Sequence, residues 1–255
     1  MNGKSLAKIL QRSPFCVFCG GQSSATTVEH MPSRVIFDGK QRPRGMEFPS
    51  CEACQQMTRK AELVIGLLSR IYPDPTVSMH KDEIRELFRS VSRNIPGLLQ
   101  EMYVDQLPVL VRLGANAFKL PSWDFLDFGG PIISQAIDLF GFKLGAALHF
   151  ELTGRIVPAG GGVWVNQYSN ADAHIGELPD EILHLLGPGY TLRMGRQNVE
   201  KQFRYQSAQV QDIDMTVHFA VFREAFALLM VVYTDGELAS RETWKDDIIF
   251  VGPRS

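Results

Sequence analysis

Four cysteines stand in two Cys-x-x-Cys pairs, CVFC at 16–19 and CEAC at 51–54, and the chain of 255 residues has no others. Each pair presents two thiols to one point, and two such turns complete a tetrahedral site of four thiolates. Cys16, Cys19, Cys51 and Cys54 are therefore read as the ligands of a structural Zn²⁺. Four protein ligands close the coordination sphere, so this ion would hold the backbone and do no chemistry. Two disulfides or four buried thiols are the other readings of four cysteines. A reducing compartment opposes the first and the paired spacing opposes the second. Gly20 and Gly21 follow the first pair and supply the backbone freedom a knuckle turn needs.

The dipeptide Glu29-His30 lies between the pairs. A histidine near neutral pH can take a proton from water, and a neighbouring carboxylate can hold a divalent ion. Arg34, Arg42, Arg44 and Arg59 are of the type that holds phosphate oxygens. Thr26, Thr27 and Val28 favour a strand, which Met31-Pro32 ends, so the dipeptide sits at a strand end. Arg34–Phe37 reads as a short strand or helical turn, Asp38-Gly39 as a turn, and Met46-Glu47-Phe48 as a second strand. A helix is predicted from Glu52 to Tyr72, stopped by Pro73. Its apolar Val64, Leu67, Leu68 and Ile71 recur at helical spacing, while Gln55, Thr58, Arg59 and Glu62 fall on the other face.

This order, strand, Glu-His, strand and helix between two Cys-x-x-Cys pairs, resembles the zinc-containing HNH endonucleases, which carry the ββα-metal (His-Me) finger. The segments that carry the resemblance are CVFCG (16–20), TVEHMPS (27–33) and FPSCEACQQ (48–56), within about residues 14–72. FKLGAALHFELTGRIVPAGGGVWV (142–165) is similar to the C-terminal part of such proteins. The resemblance implies hydrolysis of nucleic-acid phosphodiester bonds, with His30 as general base and Glu29 binding or orienting a catalytic Mg²⁺ or similar divalent ion. Gln55 stands where the family has asparagine, a further ligand or positioning group. Glu62 matches a downstream acid ligand. The implied partner is nucleic acid, DNA rather than RNA. The exchange at Gln55 leaves two further readings: a nucleic-acid-binding finger that has lost cleavage, and an adaptor whose finger braces the rest of the chain.

Composition sets the frame. The net charge is −2, but residues 1–70 carry ten Lys/Arg against five Asp/Glu (+5) and the remainder carries −7. A basic module joined to an acidic one points to a polyanionic partner for the first part. No run of eighteen apolar residues appears, so no membrane span is expected. The N-terminus lacks a long apolar stretch with a cleavage site, so a cytoplasmic location is expected.

With 45% hydrophobic residues the chain can bury a core. The expected fold is α+β: a small zinc-stapled ββα finger over 1–75, then a larger α+β domain over 76–255 with a helix cluster and a mostly antiparallel sheet. Helices are predicted at Lys81–Ser92 and Gln135–Thr153, the latter capped by Gly154. Pro108 and Pro121 bracket VLVRLGANAFKL. Strands are predicted at Val163–Gln167, Tyr190–Met194, Gln202–Gln206, Met215–Phe222 and Ala225–Tyr233, the last two forming a hairpin through Arg223-Glu224. Histidines 80, 149, 174, 184 and 218 are scattered, with His149 and His218 read as packed core residues. The glycine run at 160–162 reads as a turn, and no Walker loop occurs.

Overall fold

The computed structural model describes residues 3–71, 81–102, 110–113, 116–119, 129–169, 184–210, 213–223, 225–241 and 247–251. The expectations at Tyr72, Pro73, His80, Pro108, Pro121, His174, Glu224 and the 75/76 boundary lie outside these residues. Helix α1 spans Gly3–Leu10, and an antiparallel pair follows: β1 (Thr27–His30) and β2 (Glu47–Ser50). Their register places Glu29 opposite Phe48 and His30 opposite Glu47. Between them the chain makes two 3-10 turns, at Arg34–Ile36 and Asp38–Lys40.

The helix predicted from Glu52 to Tyr72 is two helices, α2 (Glu52–Met57) and α3 (Arg59–Leu68). An unbroken helix would give the Cys54 carbonyl to the Thr58 N–H. Instead the Thr58 N–H turns to Gln56 O, and Cys54 O accepts from the Lys143 ammonium at 3.0 Å. Thr58 sits at φ −97°, ψ 0°, fully buried.

Helices α4 (Lys81–Asn94) and α5 (Leu98–Met102) lead to a small hairpin, β3 (Leu110–Leu113) with β4 (Asn116–Lys119). The long helix α6 then runs Pro131–Thr153. It starts before the expected Gln135 because Pro131 fits the first helical turn and because Glu101 of α5 caps it. The Glu101 carboxylate accepts from the N–H groups of Ile132 (2.9 Å) and Ile133 (2.8 Å). Gly154 closes the helix in the left-handed region, as expected. By length and composition α6 could cross a membrane, yet 67% of its apolar window is buried within the protein. It is the central core helix, packed against α3 and the main sheet.

That sheet combines β5 (Gly162–Ser169), β8 (Arg204–Gln209), β9 (Met215–Phe222), β10 (Phe226–Tyr233) and β11 (Ile248–Phe250), with β6 (Arg193–Met194) and β7 (Gln197–Asn198) forming a separate short pair. Its order is β11-β5-β10-β9-β8, antiparallel throughout. A short helix, α7 (Gly236–Arg241), precedes β11. The fold is thus α+β, as expected. Gly141 lets α6 approach closely, since a Cβ there would come within 2.4 Å of Val165 Cγ1. The strand predicted at Tyr190–Met194 reduces to β6 and one bridge from Tyr190 to Tyr205, because Gly187-Pro188-Gly189 and Gly195 leave no room for a ladder. The edge strand β11, paired with β5, is not among the predicted strands.

One cluster of buried apolar residues runs from Cys16 through α3 and α6 to Val251, so the finger and the rest share a core. Phe48 of β2 packs edge-on against both Phe18 and Phe150 of α6, at centroid distances of 6.2 and 6.3 Å. Arg223, at the β9–β10 turn, pairs with Asp38 and donates to Ile36 O.

His149 and His218 are buried, as expected, and lie in one polar chain. His149 Nδ1 meets Thr216 Oγ1 at 2.9 Å, Thr216 Oγ1 meets His218 Nε2 at 2.9 Å, and His218 Nδ1 meets Ser207 Oγ at 2.8 Å. Burial pulls His149 down to about 4 and His218 down to about 3. An unfolded histidine takes up its proton below about pH 6.5, so the stability these neutral rings provide is present above that pH and is lost as pH falls. The melting temperature should therefore drop on acidification through about pH 6. His149→Gln, which keeps an amide for Thr216, should flatten that slope when the two proteins are melted side by side.

Candidate functional site

The knuckles form where the sequence places them. Gly20 and Gly21 adopt φ of +65° and +73°, the Phe18 N–H points at Cys16 Sγ (3.4 Å), and Gly21 N donates to Cys16 O (3.2 Å). Cys51 is the N-cap of α2 and Cys54 lies in its first turn, which brings their thiols to one end of that helix. The four thiols are not joined as disulfides, and their sulfurs all lie within 4.8 Å of one another. Tetrahedral zinc with bonds of ~2.3 Å needs sulfurs ~3.8 Å apart, so the group fits a metal such as zinc. A hydrogen bond from Cys54 pulls the Cys16 thiol down to about 4, whereas burial and the Cys16 charge push Cys19 up. A second thiolate in this group calls for a cation.

Glu29 and His30 are neighbours on β1 and therefore face opposite ways. Glu29 turns inward and is buried. Its Oε2 lies 3.1 Å from the Nζ of Lys143, a residue with no solvent exposure. The same ammonium donates to Thr58 Oγ1 at 2.7 Å and to Cys54 O at 3.0 Å. The Thr58 hydroxyl in turn donates to Glu62 Oε1 at 3.0 Å. Burial pushes the Glu29 carboxyl up to about 7; Glu62 adds to that push and Lys143 opposes it. Burial raises Glu62 as well.

His30 turns outward. Its side chain is 40% exposed, and Nε2 lies 3.7 Å from Glu47 Oε1 on the paired strand. Burial and then the Arg42 charge lower its pKa, against the pull of Glu47. The ring is therefore neutral at neutral pH. Gln55 reaches from α2 to β1: its Nε2 donates to Val28 O at 2.9 Å, and its Oε1 accepts from Thr27 Oγ1 at 3.4 Å. The amide thus pins the strand that carries the dipeptide.

A cleft of about 850 Å³ gathers these residues. Glu29, His30, Gln55 and Glu62 line it together with Arg34, Arg42, Arg44 and Arg59, so every expected site residue except the cysteines meets there. Lys40 and Glu47 join them. Arg34, Arg44 and Arg59 are exposed. Arg42 differs, because its guanidinium donates to the carbonyls of Met31, Pro32, Pro43, Gly45 and Met46. Burial lowers it to about 10, and it acts as a staple for the loop between β1 and β2. The expected catalytic divalent ion does not fit this arrangement. Among the described residues the four cysteines are the one group of three or more His, Cys, Asp or Glu whose ligand atoms converge. Glu29 faces an ammonium, and the Gln55 amide is engaged with β1.

Sequence reasoning missed Lys143. The signal was present: a lysine inside FGFKLGAALHF, a stretch whose one other polar side chain is His149, must find a charged or oxygen-rich partner. It also missed Glu47, whose position opposite His30 follows only from the register.

Cys54→Ser should reduce bound zinc from about one equivalent per chain to near none and melt the finger, as metal analysis and circular dichroism will record. Lys143→Met should cost about 3 kcal/mol at pH 8, where the unpaired Glu29 must either take up a proton or stay charged in the core, and clearly less at pH 5, where Glu29 is already neutral; urea unfolding at both pH values checks this.

Comparison of the chain with protein-family models, with curated proteins and with solved structures finds no match.

Proposed function

We propose that the chain is a zinc-stapled, nucleic-acid-binding protein of the HNH type, whose cleft takes the phosphodiester backbone. The observation that carries this reading is the rim of that cleft: Arg34, Lys40, Arg44 and Arg59, all exposed, surround a single opening. Lys143 meets the Glu29 charge inside the protein, so that carboxylate does not oppose the rim. Arginine forks suit phosphate oxygens, and a concave basic surface concentrates a polyanion. The metal held by the four cysteines is zinc, since four thiolates select it, and its role is to fix β1 against α2. A reducing, cytoplasmic setting suits those thiolates.

A second reading, phosphodiester hydrolysis with His30 as general base, is favoured by one feature. The ring is neutral and half-exposed within the cleft, with Glu47 beside Nε2, where it can take a proton from a water near a bound phosphate.

Binding to a duplex DNA oligonucleotide should weaken with salt, with a log–log slope of about −3, and Arg34→Ala and Arg59→Ala should each remove about one unit of it. Affinity indifferent to salt would sink the binding reading. Nicking of supercoiled plasmid that is equal for wild type and His30→Ala would sink the second reading and leave the first standing.

A further inference from the structure

Lys143 reaches the finger from outside it. Helix α6 carries the residue, and its side chain has no solvent exposure. The ammonium has three protons and three oxygen neighbours: Thr58 Oγ1 at 2.7 Å, Cys54 O at 3.0 Å and Glu29 Oε2 at 3.1 Å. The Phe18 ring closes another side, with its centroid 5.2 Å from Nζ. Glu62 lies one hydroxyl further out, on Thr58. Two carboxylates, a hydroxyl and a backbone carbonyl form a set of hard oxygen ligands of the kind that holds Mg²⁺ or Mn²⁺.

We infer that the Lys143 ammonium is the resident cation of this finger, and that it stands where the HNH resemblance places a divalent ion. The backbone is built around it. The break between α2 and α3 turns Cys54 O toward Nζ and sets the Thr58 hydroxyl beside it. Both acidic residues that the resemblance assigns to the ion, Glu29 and Glu62, face this ammonium directly or through Thr58. A divalent ion at the same oxygens would lie within a few ångströms of a buried positive charge, an arrangement that Coulomb repulsion opposes. The enclosed side chain has no solvent to withdraw into. Glu29 is thereby a counter-ion that ties β1 to α6. The cleft then offers His30 and its cationic rim to a ligand without an added metal. This inference rests on the assignment of Glu29 and Glu62 by resemblance, and it holds whether or not the cleft binds nucleic acid.

Mn²⁺ is the probe, titrated into the zinc-loaded full chain with free Mn²⁺ read by electron paramagnetic resonance. Wild type should bind no Mn²⁺ at the Glu29 site below about 1 mM. Lys143→Met removes the charge and keeps most of the volume, so it should gain one Mn²⁺ with affinity at least about 10-fold tighter, and the added change Glu29→Gln should abolish the gain. Wild-type uptake of one Mn²⁺ that Glu29→Gln weakens about 10-fold would overturn the proposal. So would a folded Lys143→Met protein with no gain. If Lys143→Met does not fold, the wild-type and Glu29→Gln titrations decide the question by themselves.

Discussion

A buried ammonium is tolerated only where protein oxygens replace its hydration shell. Lys143 meets that condition through groups from β1, from the end of α2 and from the junction with α3. These elements cannot shift independently, because moving any one would leave a charge unpaired in the core. The contact therefore explains features that look unrelated: the helix break at Thr58, the inward turn of Glu29, and the fixed angle between the finger and α6. The cysteine cluster holds the two knuckles together, and the ammonium locks them to the rest of the chain.

Strand alternation then separates two adjacent ionisable residues into different environments. Glu29 is buried beside Lys143 and His30 is half-exposed, although both line the cleft. Burial moves them in opposite directions, the carboxyl up and the imidazole down, and both shifts favour the neutral form. Lys143 faces Glu29 inside the protein, while Arg34, Arg44 and Arg59 line the cleft around His30. What a ligand meets is a neutral histidine within a basic rim. That combination suits a polyanion better than it suits a metal ion.

The parts legible in the sequence are those governed by local spacing. The Cys-x-x-Cys pairs, β1, the core histidines, the β9–β10 hairpin and the α6 C-cap follow from residue type and short-range pattern. Convergence of Glu29, His30, Gln55 and Glu62 on one cleft followed from the ββα order and helix phase. Other features depend on groups distant in the chain. Arg42 has the composition of a phosphate binder, yet five nearby carbonyls that only the folded loop creates use up its donors. The helix break cannot be read from Thr58 alone, since threonine is tolerated in helices; it needs Lys143, more than eighty residues away. Strand β11 depends on an open edge of β5 to pair with.

The region after the finger also gains a role beyond supplying a core. Phe150 receives Phe48, Lys143 receives Glu29, and Arg223 holds Asp38 at the far end of the loop that carries Arg34 and Lys40. Three contacts spread across the finger fix its strand, its helix junction and its loop. A segment this small, held by one metal alone, would leave the loop between β1 and β2 free to sample many shapes. Docked at three points, the loop presents Arg34, Lys40 and Arg44 in a set arrangement around His30. The larger part of the chain is thus the template on which the cleft is shaped, although the residues that line the cleft come from the finger.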